Sequence, residues 1–276
     1  MFLSQINIYP IKSLRGISLE ESEFDCRGLK FDRRWMLVDE RNGFLTQRRY
    51  PKMATIGVII EHDSLIAFTK DETLRIPFEP ESKKVISVKV WESEVSAQVY
   101  GDTINDWFSS ILRVKCKLVK MLDESVRKVN PKYAVSPHDE VSFADGYPFL
   151  LTNEASLADL NSRLEEPIPM NRFRPNLVVS GFEPFAEDSW KKIKIGEQIF
   201  HVVKPCSRCV ITTTDQETGE RKSKEPLKTL AKFRSLFGDG EVFFGQNLVA
   251  DRSAGEKGFL RVGDSVEVLE FKSTKT

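Results

Sequence analysis

A mainly β protein with α additions, of the α+β class, is what the sequence predicts, and three observations predict it. Short stretches of alternating apolar and polar residues recur through the first hundred positions. Turn signals rich in Gly, Asn, Asp and Ser separate them. Helical periodicity is confined to a few short segments. Many short strands with few helices point to barrel-like sheets carrying helical additions.

In chain order, Arg34–Asp39 and Phe44–Gln47 flank Arg41-Asn42-Gly43 and read as a hairpin with an Asn-Gly turn. Ile86, Val88 and Val90 alternate with polar residues, as do Val95, Ala97 and Val99, so Glu92-Ser93-Glu94 reads as the turn of a second hairpin. Ile104, Trp107, Phe108, Ile111 and Leu112 fall at i, i+3, i+4, i+7 and i+8, predicting a helix behind an Asp102 cap. From Met121 to Lys132 the composition turns polar, and Pro131 and Pro137 suit a linker. Two domains are therefore expected, residues 1–122 and 123–276. Leu157, Leu160 and Leu164 mark one face of a second helix, and Pro226 opens a third that buries Leu227 and Leu230. Gln198–Val203 and Val210–Thr214 read as strands. Val262-Gly263-Asp264 reads as the turn before a last strand that ends near Phe271.

The 276 residues are enough to bury a core without covalent staples. Lys plus Arg number 41 and Asp plus Glu number 41, a balance that argues against a general nucleic-acid or polyanion binder. Any anion site must come from local clustering. No basic-then-apolar leader opens the chain, and no apolar run approaches the roughly 20 residues of a membrane span. No membrane partner is expected, and a cytoplasmic location is. Cys26, Cys116, Cys206 and Cys209 are too few for a disulfide framework in a chain of this length, which fits a reducing compartment.

Chemistry centres on Pro205-Cys206-Ser207-Arg208-Cys209. A C-x-x-C pair is half a zinc site, a thioredoxin-type redox pair, or two buried cysteines acting as small hydrophobes. Cys26 and Cys116 stand apart from the motif. His62, His138 and His201 form no spaced pair, and the flanks read as strands rather than as a βαβ unit. Arg208 beside Cys209 favours a thiolate there. A metal held by one protein thiolate must take its other ligands from a cofactor, since two thiols do not hold an iron–sulfur cluster. Basic residues gather at Lys12, Arg33-Arg34, Arg48-Arg49 and Arg172/Arg174. Arg33 and Arg34, as strand neighbours, are expected to face opposite sides.

Tyr9-Pro10-Ile11-Lys12-Ser13, Asp32-Arg33-Arg34-Trp35 and Leu45-Thr46-Gln47-Arg48 resemble the N-terminal β-barrel region of MOSC proteins. Asn153 to Asn161, Arg172-Phe173-Arg174-Pro175-Asn176, Glu187-Asp188-Ser189-Trp190, Cys206-Ser207-Arg208-Cys209, Thr212 to Gly219 and Gly258 to Asp264 resemble the MOSC domain itself. Within that family the chain is most similar to the amidoxime-reducing members, and the pieces occur in the right order over nearly its whole length. The resemblance implies an N-terminal β-barrel-like domain followed by a MOSC β-barrel domain. Between them it implies a bound molybdenum cofactor, Mo-molybdopterin.

Cys209 takes the molybdenum-ligand position, and Cys206 is read as structural. Lys12, Ser13, Arg33, Arg174 and Ser207 match cofactor-contacting positions, with Asn176 added from its place in the Arg-Pro-Asn turn. Asp145 lies by resemblance near the metal, where a carboxyl orients an amidine-like substrate or relays protons. Asp215 and Gly219 read as turn formers.

The implied reaction converts R–NH–OH, two electrons and two protons into R–NH2 and water, on small-molecule amidoximes, hydroxylamines or N-hydroxylated bases. Detoxification and pyridoxal phosphate binding come with the resemblance alone. No membrane anchor precedes the pattern and no ferredoxin-like domain follows it, so electrons are expected from a separate ferredoxin-, flavoprotein- or cytochrome-type protein. The rival readings are a molybdenum-cofactor carrier or sulfur-transfer protein using Cys209, and a non-catalytic interaction module.

Overall fold

A computed structural model of the chain describes residues 1–238, 240–253, 255 and 257–273. Strands hold 38% of the chain and helices 14%, so the mainly β expectation stands. The largest sheet has eight strands, in the order Val266–Phe271, Trp190–Ile195, Gln198–Ser207, Phe243–Ala250, Phe149–Asn153, Leu177–Ser180, Phe2–Ile8, Ile17–Leu19. Every pairing in it is antiparallel except Phe149–Asn153 with Leu177–Ser180. It curls around Leu3, Ile6, Phe149, Leu177, Trp190 and Phe200. Burying such side chains fully is worth about 1.5–3 kcal/mol each, which favours the curl.

A four-stranded sheet runs Trp35–Val38, Lys117–Met121, Ser93–Val99, Val85–Val90. Here the predicted alternation holds: Val88, Val90, Val95, Ala97 and Val99 all point into one core. The turn falls at Trp91-Glu92, because Ser93 pairs with Val90. Asp39 braces the other predicted turn, its Oδ1 accepting from the backbone N–H of Arg41 and Gly43 at 2.9 Å each, and Asn42 takes a φ of 60°. Only a bridge from Val38 to Phe44 follows, so Phe44–Gln47 is not a full strand.

Other expectations shift. The helix Asp102–Leu112 forms and buries Phe108, Ile111 and Leu112, but its cap is the extended Gly101, with no side-chain bond. Asp102 sits inside the first turn, where a carboxylate favours the helix dipole. Arg33 has a φ of 49° and belongs to a turn; the strand starts at Trp35. The motif strand runs on to Ser207, and Val210–Thr213 is a short 3-10 turn rather than a strand. Glu154–Asn161 is helical and capped by the Asn153 side chain, and Leu227–Leu230 follows Pro226 as anticipated. Sheet hydrogen bonds run across the 122/123 boundary: Phe2–Ile8 lies in the eight-stranded sheet, and Gly258–Arg261 pairs with Glu21–Asp25.

Candidate functional site

The chain positions its basic residues at turns that converge from both halves. Lys12 and Ser13 follow Pro10 where the backbone leaves the large sheet. Lys12 N–H donates to the Trp35 carbonyl at 2.8 Å, and Gln47 Nε2 donates to the Ser13 carbonyl at 2.8 Å. Arg33 and Arg174 both sit at left-handed backbone positions, with φ of 49° and 55°. Their guanidinium groups lie against the Tyr9 ring, at 4.2 and 4.1 Å from its centroid. A cation beside an aromatic face is held at modest desolvation cost. Arg33 also grips Asp32, which is fully buried, at 2.7 and 2.9 Å. Burial pushes the Tyr9 hydroxyl up to about 12 against the pull of both arginines, and lowers Arg174 to about 10 against the attraction of Tyr9.

These residues border one cleft of about 470 Å³. Lys12, Ser13, Arg33, Asp145, Arg174, Asn176, Ser207 and Cys209 all line it, so the structure brings together every site residue expected from the sequence. Its charge is lopsided. Lys12, Arg33, Arg48, Arg172, Arg174, Lys204 and Arg208 stand against Asp145 and Glu241. In a chain of zero formal balance this is the local clustering that an anion site requires.

Two of the cations keep a buried donor without a hydrogen-bond partner, Arg172 Nε and Arg208 Nε. Arg172 is otherwise anchored, donating to the Thr213 carbonyl at 3.0 Å and to Asp215 at 3.1 Å. Asp215 in turn accepts from the backbone of Glu217 and Thr218, and Gly219 takes a φ of 72°, so this pair does shape a turn. Asn176 is largely committed to the protein: its Oδ1 accepts from Arg33 and from Leu150 N–H, and its Nδ2 donates to the Asn7 carbonyl.

The Cys motif differs from expectation in one contact. Arg208 Nη1 reaches the Cys206 sulfur at 2.7 Å. The strand ends at Ser207, and the Arg208 side chain reaches back to Cys206, whereas Cys209 opens the 3-10 turn that follows. Cys206 is therefore a cleft residue with a cationic partner, not merely a packed hydrophobe. The cation that senses Cys209 is Arg221: burial lowers it, and the Cys209 sulfur pulls it partly back.

Lys12 and Asp145 form an ion pair in the same cleft. Lys12 is 5% exposed and donates to the Phe143 carbonyl at 2.7 Å and to Asp145 Oδ1 at 2.5 Å. Burial lowers Lys12 to about 8, Asp145 opposing the shift and Arg127 and Arg33 adding to it. Burial acts against the Asp145 charge as well. The charges of Lys12 and Arg48, with hydrogen bonds from Lys12 and the Trp91 indole, overcome it and hold the carboxyl well below the usual carboxylate range. Arg127, buried in what the sequence reads as linker, donates to the carbonyls of Ser142, Ala144 and Asp145 at 2.9, 2.5 and 2.8 Å and so fixes the Asp145 loop. Sequence reasoning missed Trp91, Lys204 and Arg127 at this site. Arg48 and Arg172 carried a signal, being basic residues inside the quoted motifs.

Among the described residues no cluster of three or more His, Cys, Asp or Glu is arranged to hold a metal ion, and no helix is long and apolar enough to cross a membrane. The profile described as MOSC domain matches residues 138–267, and that described as MOSC N-terminal beta barrel domain matches residues 1–115. The chain is 36% identical to mitochondrial amidoxime-reducing component 1 of Mus musculus, over 97% of this chain and 82% of that protein. It is 34% identical to the Homo sapiens protein of the same name, with the same coverage of 97% and 82%. It is also 34% identical to molybdenum cofactor sulfurase of Oryza sativa subsp. japonica, over 88% of this chain but only 32% of that protein.

Proposed function

The chain belongs to the MOSC family, and from that premise we propose that it is a molybdenum-cofactor-dependent reductase of N-hydroxylated compounds, fed by a separate electron-transfer protein. The observation that carries the proposal is the cleft itself: a cation-rich pocket, walled by both halves of the chain, lined by a cysteine sulfur and by a lysine–carboxylate pair.

The residues fit the group. Molybdopterin carries a phosphate and an anionic dithiolene, and the guanidinium and ammonium groups that line the cleft, outnumbering its two carboxylates, match that charge. Arg33, Arg174, Lys12, Ser13 and Ser207 would hold the anion, with Asn176 fixing the Arg33 side. Cys209 would supply the protein's thiolate. When bound, the cofactor supplies a two-electron centre that accepts the substrate oxygen.

The chain's own residues handle charge and protons. Asp145 stays ionised, so it orients an amidine-like N–H rather than giving up a proton. Lys12, lowered towards neutrality and hydrogen-bonded to Asp145 from the facing wall, is the group that holds a transferable proton on Nζ. Residues 1–122 and 123–276 act as the two walls of the site, which is the sense in which we divide the chain.

The test is molybdenum and pterin content of protein made in a cofactor-producing host, beside Cys209→Ala, followed by amidoxime reduction with reduced viologen. Near-stoichiometric metal, lost in the variant, together with turnover supports the reductase. Metal without turnover favours a carrier or sulfur-transfer role, the reading that the sulfurase likeness keeps open. No metal in folded protein removes both.

A further inference from the structure

Trp91 occupies a position that its residue type does not suit. It is the first residue of a two-residue hairpin turn and has a φ of 55°. For a bulky side chain that backbone conformation is strained, and glycine or asparagine is what such turns ordinarily carry. Its indole is nevertheless 40% exposed, so burial does not compensate the strain. The ring lines the cleft instead.

Its contacts there are specific. The indole N–H donates to Asp145 Oδ1 at 3.1 Å. The Arg48 guanidinium lies 4.7 Å from the ring centroid, and Phe44 packs tilted at 5.3 Å. Asp145 Oδ1 thus takes both Lys12 and Trp91, while among the described residues Oδ2 has only the long 3.3 Å contact with Arg48. Oδ2 is the carboxylate oxygen with a lone pair left for an incoming N–H.

We propose that Trp91 determines substrate specificity: its indole is the stacking wall for the planar ring of an aryl N-hydroxylated substrate, and its N–H keeps Asp145 Oδ2 turned towards the substrate's N–H. The inference rests on the reductase reading. Strain retained at an exposed, site-lining aromatic is what a functional constraint produces. Offset or edge-on aromatic contacts have the strength to separate an aryl from an alkyl substrate by severalfold.

The experiment compares benzamidoxime with acetamidoxime, which share the reacting group and differ in the ring. Trp91→Ala is expected to raise KM for benzamidoxime about tenfold and to leave KM for acetamidoxime within about twofold. Trp91→Phe, keeping a ring, holds the benzamidoxime KM within about threefold and lowers kcat on both substrates through the lost N–H. A benzamidoxime-to-acetamidoxime KM ratio that is the same in wild type and Trp91→Ala overturns the proposal.

A second readout needs no turnover. Trp35 and Trp190 are buried and the half-buried Trp107 lies outside the cleft lining, so benzamidoxime titrated into the oxidised full chain without reductant reports on the exposed Trp91 indole by fluorescence quenching. Saturable quenching in wild type that is absent from Trp91→Phe supports the stacking wall, and no saturable quenching in wild type overturns it. If wild type loaded with molybdenum turns over neither amidoxime, the reductase reading falls, and the titration still decides whether Trp91 binds the ring.

Discussion

Replacing Lys12 by Met tests the charge balance of the cleft in a form that can be measured without any cofactor. Lys12 is lowered from an ordinary 10.5 to about 8, chiefly because burial strips water from the ammonium while Arg127 and Arg33 repel it, with only Asp145 opposing. At about 1.4 kcal/mol per unit, keeping that side chain charged at neutral pH costs the folded protein about 3 kcal/mol. Methionine, of similar shape, removes the cost but leaves the Phe143 carbonyl without its 2.7 Å donor, a loss of about 1 kcal/mol.

The net expectation is a metal-free variant about 2 kcal/mol more stable than wild type at pH 7. Between about pH 8 and 10.5 the unfolded chain still holds a proton that the folded chain has released. Wild-type stability therefore rises with pH across that window relative to the variant, and the penalty is fully present below pH 8. Urea unfolding of both proteins at pH 7, 8, 9.5 and 10.5 reads the effect directly. A variant that is less stable at pH 7, with a pH slope parallel to wild type, refutes the reasoning. In the loaded enzyme the same group predicts a wild-type kcat that declines as pH rises through about 8.

Three further outcomes are expected. Cys206→Ala keeps its molybdenum while Cys209→Ala loses it, by elemental analysis of folded protein; equal loss would make Cys206 a ligand as well. Gly28→Ala destabilises by about 3 kcal/mol or more in chemical denaturation, because Gly28 sits at a φ of 102° and a Cβ there runs into the Pro148 carbonyl, just past the Asp145 loop. Glu187, fully buried and raised from its ordinary value by burial, with its own backbone N–H, Ser156 and Asn153 opposing, costs stability as pH rises past that ordinary value. Glu187→Gln should therefore match or exceed wild type at pH 7, whereas Glu187→Ala falls below it by leaving Ser156 and Asn153 without their acceptor. Thermal unfolding of the two variants separates these outcomes.

What the sequence disclosed follows the range of the forces involved. The Val85–Val99 hairpin and the helix Asp102–Leu112 were legible because their apolar periods are local. The cleft residues Lys12, Ser13, Arg33, Arg174, Ser207 and Cys209 were legible only through the family pattern, since no local rule brings residue 12 next to residue 145 or 209. The partner of Arg208 was misplaced because Arg208 follows the strand end at Ser207, where no residue type marks which way its long side chain turns. Trp91 and Arg127 were silent for opposite reasons. One sits where turn residues are expected to be small, and the other is buried in a stretch whose polarity reads as solvent-facing.

The first strand has a consequence for how the protein is made. Phe2–Ile8 pairs with Leu177–Ser180, and Ser4 donates to the Val178 carbonyl 174 residues further along the chain. At ribosomal speeds of about 5–20 residues per second, that edge waits on the order of ten to thirty seconds for its partner. Throughout synthesis an unpaired edge rich in Leu3, Ile6 and Ile8 is open to other nascent chains. Lys12 rides on the end of that strand and Cys209 leaves the ribosome later still, so the cofactor cleft has no nascent form. On the proposed function, loading would await a nearly finished chain, and fragments that stop before Ser180 should aggregate rather than fold as an N-terminal half.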